Sequence, residues 1–177
     1  MAKLASGLIQ VYTGNSKGKT TAALGLTVRA VGRGLKVYII QFMKGQGDYG
    51  EIAGLVRLHP ECQVESFGGK GWVHKGVGQE EHRHEARRAF LRAEEVIAAG
   101  EWDIVILDEI VNAIWFELLP EEEVLNLCQS KPAHVELVLT GRNASQRLIE
   151  QADLVTEMQQ IKHPFERGIS ARLGIEY

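Results

Sequence analysis

The sequence predicts an α/β domain with a mostly parallel sheet and helices on both faces. Short apolar runs alternate along the chain with amphipathic segments of helical period, an order typical of parallel strands joined by crossover helices. A glycine-containing loop joins the first apolar run to the first helical segment. Neither an internal repeat nor a linker divides residues 1–177, so we expect one domain.

Composition argues against several classes of function. The 177 residues are 45% hydrophobic and 24% charged with a net charge of −3, which is ordinary for a globular protein and gives no basic field for nucleic acid. No apolar run approaches the roughly 20 residues of a membrane span, and the first residues do not lead into a signal peptide. Cys62 and Cys128 lack a CxxC partner, so we expect reduced, buried thiols and a cytoplasmic protein.

The loop after the first strand, which is predicted at residues 8–12, is interpreted as a phosphate cradle. Strand, loop and helix N-terminus bring backbone N–H groups and the positive end of the helix dipole together, where Lys19 adds a charge and Thr20 a hydroxyl for Mg²⁺. The candidate phosphate-binding residues are Gly14, Asn15, Ser16, Lys17, Gly18, Lys19, Thr20 and Thr21. A glycine turn that only caps a helix is the alternative, but the strand before and the helix after are the context of a P-loop.

This loop is one residue shorter than the usual pattern of Gly, any four residues and Gly-Lys-Ser/Thr, because its first glycine is Gly14 and position 13 is a threonine. A tighter loop favours a grip on polyphosphate that differs from that of an ordinary kinase or ATPase. The predicted fold class is therefore α/β and P-loop NTPase-like.

The next two elements bring a second cation to the same edge. A helix is expected from residue 19 to about 31, apolar nearly all round and so largely buried, with glycine C-caps. A strand at 36–42 delivers Lys44 to its carboxyl end, the edge at which open parallel sheets bind ligands. Lys44 is a candidate phosphate contact, with a solvated lysine as the alternative.

Residues 45–78 are rich in glycine, which predicts loops around one short strand at 64–67. Trp72 stands in this stretch, where glycine raises the entropy cost of holding an indole for the core alone. We interpret Trp72 as a lid or a platform for a flat ligand, and a loop anchor is the alternative.

Apolar residues at three-and-four spacing predict an amphipathic helix over 79–99. Its first turn contains His82 and His84. Residues two apart on a helix point in nearly opposite directions, so this pair does not chelate one ion.

A strand buried on both faces is predicted before Asp108 and Glu109. Two carboxylates at the carboxyl end of such a strand are where a P-loop fold holds Mg²⁺, directly or through water. The candidate metal ligands are thus Thr20, Asp108 and Glu109, and Asn112 is expected to lie near them.

The last third of the chain adds a helix from Pro120 and a strand at 135–140. Arg142 follows that strand at the ligand edge, and its guanidinium fork suits phosphate. Ser145 is expected to cap a further helix, before a strand at 154–161 and an edge strand within 168–177.

These residues predict binding of a nucleoside triphosphate with Mg²⁺ (or Mn²⁺), but they do not name the acceptor. No Ser-His-Asp or Cys-His arrangement is evident, and no base for a hydroxyl acceptor stands out, although Asp108 or Glu109 could serve. A small P-loop kinase or ATPase with another acceptor and a non-catalytic nucleotide-binding module are the alternatives.

The chain resembles the ATP:corrinoid adenosyltransferases of the P-loop class, which make adenosylcobalamin and related corrinoids in biosynthesis or salvage. The matching pieces follow the family's order through nearly the whole chain. They are the shortened loop 14–21, the runs 41–45, 107–109, 140–142 and 162–165, Gly168, and the run 174–177.

The resemblance implies transfer of the 5′-deoxyadenosyl group from ATP to a Co(I) corrinoid with release of triphosphate. Co(I) is itself a strong nucleophile, which agrees with the lack of an evident base. The resemblance also implies ATP bound in reverse over the loop, a flavoprotein reductant and a homodimer. Carried onto matching positions, it assigns phosphates to Lys19 and the loop amides, Mg²⁺ or the ribose to Thr20 and Glu109, and support of the site to Arg142.

By the same resemblance, Trp72 matches one of two loop aromatics that press on the corrin and displace its lower axial ligand. Two positions depart from the family's pattern. Lys70 stands where the other aromatic is found, which bears on the displacement step or on the corrinoid preferred. Ser16 stands at the loop's second glycine and requires a φ that a non-glycine residue can adopt.

Overall fold

The computed structural model describes residues 4–45, 47, 49–71, 73–76 and 79–176. Its strands, β1 to β6, are Ile9–Thr13, Val37–Gln41, Cys62–Ser66, Ile104–Asp108, Glu136–Thr140 and Leu154–Glu157. Its helices, α1 to α6, are Lys19–Val31, Gly50–Val56, Glu80–Ala99, Ile110–Trp115, Glu121–Ser130 and Gln146–Gln151, and a 3-10 helix spans Pro164–Arg167. Within these ranges no helix is both long and apolar enough to cross a membrane.

All the strands of the sheet run parallel, in the order β3-β2-β4-β5-β1-β6. β1 lies between β5 and β6, with Ile9 opposite Leu137 and Gln10 opposite Leu154. Parallel neighbours need crossover connections, and the helices provide them. The predicted α/β, P-loop NTPase-like fold is confirmed.

The core lies on both faces of the sheet. Along β2, Tyr38 and Ile40 join one apolar cluster with α3, α4 and α5, while Val37 and Ile39 join a second cluster with α1 and α2. Every residue of β2, β4 and β5 is buried, as expected for parallel strands covered on two sides. The carboxyl ends of these strands therefore emerge from a rigid platform.

The prediction that α1 is largely buried is wrong. Its buried residues are Lys19, Ala23, Thr27 and Ala30, which recur at helical spacing along one face. Val28, which lies off that face, is 60% exposed. α1 covers the sheet with one face, and Leu24, Leu26 and Val31 beside that face are only partly buried.

Two short helices were not predicted. α2 lies inside the stretch 45–78 that was interpreted as loops, where Gly50 and Gly54 conceal a helical segment. α4 directly follows the carboxylate pair without a turn signal in the sequence.

The chain after β6 also differs from the prediction. β6 ends at Glu157 instead of continuing to 161, because its partner β1 ends at Thr13, whose carbonyl accepts the N–H of Met158. Residues 168–176 contain no strand, so the expected edge strand is wrong over those residues.

Candidate active site

Four polar residues end four neighbouring strands. Thr13, Gln41, Asp108 and Thr140 are the last residues of β1, β2, β4 and β5, and none is more than 6% exposed. Parallel strands end at one edge of the sheet, so these side chains collect beside the glycine loop. Buried polar groups require partners, and theirs organise the site.

Asp108 is the centre of this polar group. Its Oδ1 accepts hydrogen bonds from the hydroxyls of Thr20 at 2.8 Å and Thr140 at 2.7 Å. Its Oδ2 lies 3.2 Å from the Lys44 ammonium and 3.4 Å from the Gln41 amide nitrogen. Asp108 thus links the start of α1 to β2 and β5, and it faces a cation.

Lys44 reaches the predicted edge but is already paired. Its ammonium lies 2.8 Å from a carboxylate oxygen of Glu51, on α2, as well as near Asp108. Burial acts to lower the pKa of Lys44, but the two carboxylates outweigh it and the pKa is raised. Lys44 remains charged and offsets part of the negative charge of Asp108 and Glu51.

The glycine loop lies against the residue that follows β6. Gly14 has φ +99°, and a Cβ on it would come within 2.4 Å of the Met158 carbonyl oxygen. The N–H of Ser16 donates to the same oxygen at 3.1 Å. Ser16 is not among the described non-glycine residues with positive φ, so the expectation that serine fits this position is confirmed.

Lys19 occupies the centre of the loop. It is 6% exposed, and its ammonium donates to the carbonyls of Gly14 at 2.9 Å and Ser16 at 2.6 Å. Burial lowers the pKa of Lys19, while the charge of Glu109 acts in the opposite direction. The ammonium is therefore held where a phosphate can replace the carbonyls.

Glu109 and Arg142 are tied together by Asn112. The Asn112 amide donates to the Glu109 carboxylate, and its oxygen accepts the Arg142 backbone N–H at 2.6 Å. The Glu109 N–H donates to the Thr140 hydroxyl at 2.9 Å. Burial raises the pKa of Glu109, and the charge of Asp108 adds to that shift.

Gly141 permits this contact between β5 and α4. A Cβ on Gly141 would come within 2.7 Å of the Asn112 backbone nitrogen, a distance that side-chain carbons do not tolerate. The glycine thereby lets the residue after β5 approach the carboxylates.

Two cavities meet at Glu109 and Arg142, which line both of them. The first, of about 240 Å³, is bounded by the glycine loop and contains Lys19 and Thr20. The second, of about 560 Å³, is larger and more apolar. Its apolar lining residues are Met43, Val73, Trp115 and Phe116.

The structure brings most of the predicted site residues together. Residues 16–21, Glu109 and Arg142 line the first cavity, while Lys44 and Asn112 line the second. Asn15 is exposed on the loop. Trp72 lies outside the described residues, although its neighbours Gly71 and Val73 line the second cavity.

Three residues of the site were not predicted from the sequence. Thr140 and Gln41 hold Asp108 through side-chain hydrogen bonds, and a polar residue at the end of an apolar strand was the available signal. Trp115 is 46% exposed on the wall of the second cavity. Its indole ring lies 4.5 Å from the Lys75 ammonium, a cation–π contact.

The all-parallel sheet and the glycine loop between β1 and α1 define an α/β protein of the P-loop class. A sequence model of the ATP:corrinoid adenosyltransferases BtuR/CobO/CobP matches residues 5–177. The chain belongs to this family, so the resemblance is confirmed and the protein is an enzyme that adenosylates corrinoids with ATP.

Curated relatives agree over nearly the whole chain. A corrinoid adenosyltransferase of Sinorhizobium sp is 40% identical over 174 residues, which cover 97% of this chain and 80% of the relative. One from Escherichia coli (strain K12) is 37% identical over 171 residues, covering 97% and 86%. The corrinoid adenosyltransferase CobA of Salmonella typhimurium (strain LT2) is 35% identical with the same coverage.

Proposed function

We propose that this protein transfers the 5′-deoxyadenosyl group of ATP to the cobalt of a reduced Co(I) corrinoid and releases triphosphate. The observation that carries the proposal is the meeting of a phosphate cavity and an apolar cavity at Glu109 and Arg142. The C5′ carbon of ATP is one oxygen away from its phosphates. An acceptor in the apolar cavity is therefore next to that carbon when the phosphates lie in the loop.

The transfer depends on alignment of the two substrates and on stabilisation of negative charge more than on a general base. The electron pair of Co(I) forms the new cobalt–carbon bond. At the same time the C5′–O bond breaks, and the electrons of that bond leave with triphosphate. The protein contributes by aligning cobalt with C5′ and by stabilising the negative charge of the leaving group.

The glycine loop and two cations are proposed to hold the triphosphate. Lys19 exchanges the carbonyls of Gly14 and Ser16 for phosphate oxygens, since all three are hydrogen-bond acceptors for its ammonium. Backbone N–H groups at the start of α1 add donors. Arg142 lines the same cavity, and its fork matches phosphate oxygens.

Thr20, Asp108 and Glu109 are proposed to hold Mg²⁺ or Mn²⁺. Their hydroxyl and carboxylate oxygens form the hard donor set that Mg²⁺ prefers, and the Thr20–Asp108 hydrogen bond of 2.8 Å brings two of them together. When bound, the ion supplies positive charge beside the triphosphate. Contact with Asp108 through water fits its existing hydrogen bonds.

The apolar cavity is proposed to receive the corrin ring. Its volume of about 560 Å³ is in the range of small-molecule sites. Trp115 and Phe116 offer flat apolar surface to a flat macrocycle. The proposed role of Trp72 as a lid over this ligand rests on the family resemblance.

We also infer a homodimer, a flavoprotein reductant and one adenosyltransferase domain over residues 1–177. The family resemblance supports all three, and the match over residues 5–177 supports the last. A cytoplasmic location is inferred from Cys62 and Cys128, which are both free and buried.

The proposal is tested by mixing purified protein with ATP, Mg²⁺ and a chemically reduced corrinoid. We expect a light-sensitive cobalt–carbon product. Release of ADP without a spectral change at cobalt would indicate a kinase or ATPase, and ATP binding without turnover would indicate a binding module. Lys19→Ala should abolish ATP binding, while Lys36→Ala, an exposed lysine at the opposite edge of the sheet, serves as the matched control.

A further inference from the structure

The chain after β6, here called the tail (residues 162–176), forms part of the phosphate cavity. His163, Ile175 and Glu176 line this cavity together with residues 16–21 of the glycine loop. None of the predicted site residues comes from the tail. These tail side chains therefore lie where the triphosphate is proposed to bind, and none of them has an assigned function.

The tail is clamped to the loop by Lys17. The Lys17 ammonium donates to the Ile175 carbonyl at 2.5 Å and lies 3.6 Å from the Glu176 carboxylate. Arg172 also pairs with Glu176, at 2.9 Å. Two cations thus neutralise Glu176, so its carboxylate does not present an unpaired negative charge to a bound anion.

The position of the hydrogen on His163 follows from its local hydrogen bond. Its Nδ1 accepts the backbone N–H of Phe165 at 3.2 Å, so Nδ1 carries no hydrogen. In the neutral ring the hydrogen is then on Nε2. The hydrogen bonds among the described residues leave Nε2 unused, so His163, which lines the cavity, has a free donor.

We propose that His163 is a phosphate-binding residue, which donates a hydrogen bond from Nε2 to the triphosphate while the Lys17 clamp positions the tail. The inference rests on the proposed function for the identity of this anion. His163 lines the same cavity as Lys19 and Arg142 but comes from the tail. A donor there stabilises the triphosphate both on ATP and as a leaving group.

The experiment measures the affinity of inorganic triphosphate and of ATP by titration calorimetry. We expect His163→Ala to weaken triphosphate binding about tenfold, the size of one hydrogen bond to a charged group. His163→Gln keeps an N–H donor at a similar reach and should recover part of this loss. The matched control is Arg167→Ala, which removes an exposed tail cation outside the cavity wall and should leave the affinity unchanged.

Unchanged affinity in His163→Ala would overturn the proposal, and so would an equal loss in Arg167→Ala, which would indicate a general charge effect. Equal losses in His163→Ala and His163→Gln would also overturn it, because they would indicate packing of the tail instead of hydrogen-bond donation. Binding of inorganic triphosphate requires no corrinoid. If no adenosylation occurs but the affinity follows the expected order, only the proposed function is wrong.

Discussion

Glu109 is held where a carboxylate is costly. It lies beside Asp108, its pKa is raised by burial and by that neighbouring charge, and its backbone has φ +65°, which is uncommon outside glycine. Residues kept in such places are concentrated at functional sites, where function opposes stability. We therefore expect substitution of Glu109 to have opposite effects on activity and on stability.

Glu109→Gln should stabilise the protein without ligand and lower its activity. A carboxyl whose folded-state pKa is raised contributes stability below its unfolded pKa and loses that contribution as pH rises through the folded pKa. The free energy of unfolding of the variant should therefore match the parent at low pH and exceed it at neutral pH. Adenosylation should fall about a hundredfold because a charge beside the triphosphate and metal is lost.

Denaturant unfolding at several pH values, with Glu94→Gln as an exposed surface control, checks the stability part of this prediction. A gain in stability that does not depend on pH would contradict the proposed origin of the effect.

Trp115→Ala should raise the KM for the corrinoid about tenfold, the loss expected for an aromatic stacking surface. The affinity for ATP should not change, because Trp115 lines the second cavity and not the first. Its 46% exposure predicts little loss of stability. Steady-state kinetics with either substrate varied make the measurement.

Trp102→Phe is the control for this variant, since Trp102 packs against Tyr38 in an edge-to-face contact away from the cavities. If Trp115→Ala weakened ATP and corrinoid equally, the separation of the two cavities would be wrong.

At the scale of elements, the glycine loop depends on β6. Gly14 approaches Met158 so closely that no side chain fits between them. The loop is therefore supported by the residue after an exposed edge strand, and its shape is fixed by tertiary contact as well as by its own sequence.

Gly14→Ala should weaken triphosphate binding about tenfold or more, because the loop must move away from Met158 or adopt another φ. Gly25→Ala is a matched control in the interior of α1, where an added Cβ meets nothing within 4 Å. This control should bind normally and gain about 0.5–1 kcal/mol of stability from helix propensity. Equal binding by the two variants would contradict the proposed role of the contact.

Local patterns were enough to predict the elements that carry the chemistry. The strands that end at Thr13, Gln41, Asp108 and Thr140 are mainly apolar, and residues at their carboxyl ends must share an edge in a parallel sheet. α2 and α4 were missed because each is short and one of them contains glycines.

The partners of the site side chains could not be predicted in the same way. Lys44 pairs with Glu51 from the unpredicted helix α2, and Asn112 on α4 joins Glu109 to the Arg142 backbone after β5. Such contacts depend on side-chain directions after folding. Spacing in the sequence indicates only that Asn112 lies near Glu109, and it does not indicate the other contacts.

At the scale of the whole molecule, the positive charge is local. The net charge is −3, yet Lys17, Lys19 and Arg142 line one small cavity. The same cavity is lined by both the glycine loop and the tail. This distribution favours a bound polyphosphate over a nucleic acid, whose backbone requires an extended basic surface.

The two cavities differ in the chemistry of their walls. One is proposed to hold an anion with charged groups and the other to offer an apolar surface to a flat acceptor, and Glu109 and Arg142 line both cavities. An ordinary phosphotransferase would place its acceptor at the γ-phosphate. In the proposed reaction the acceptor reaches C5′, at the opposite end of the phosphate chain.

The fate of the phosphates therefore tests the central claim most directly. Phosphorus NMR of a complete reaction with ATP, Mg²⁺ and chemically reduced corrinoid should show intact inorganic triphosphate, formed in a one-to-one ratio with the light-sensitive cobalt–carbon product. Formation of ADP with a phosphorylated acceptor or free phosphate, and no triphosphate, would contradict it.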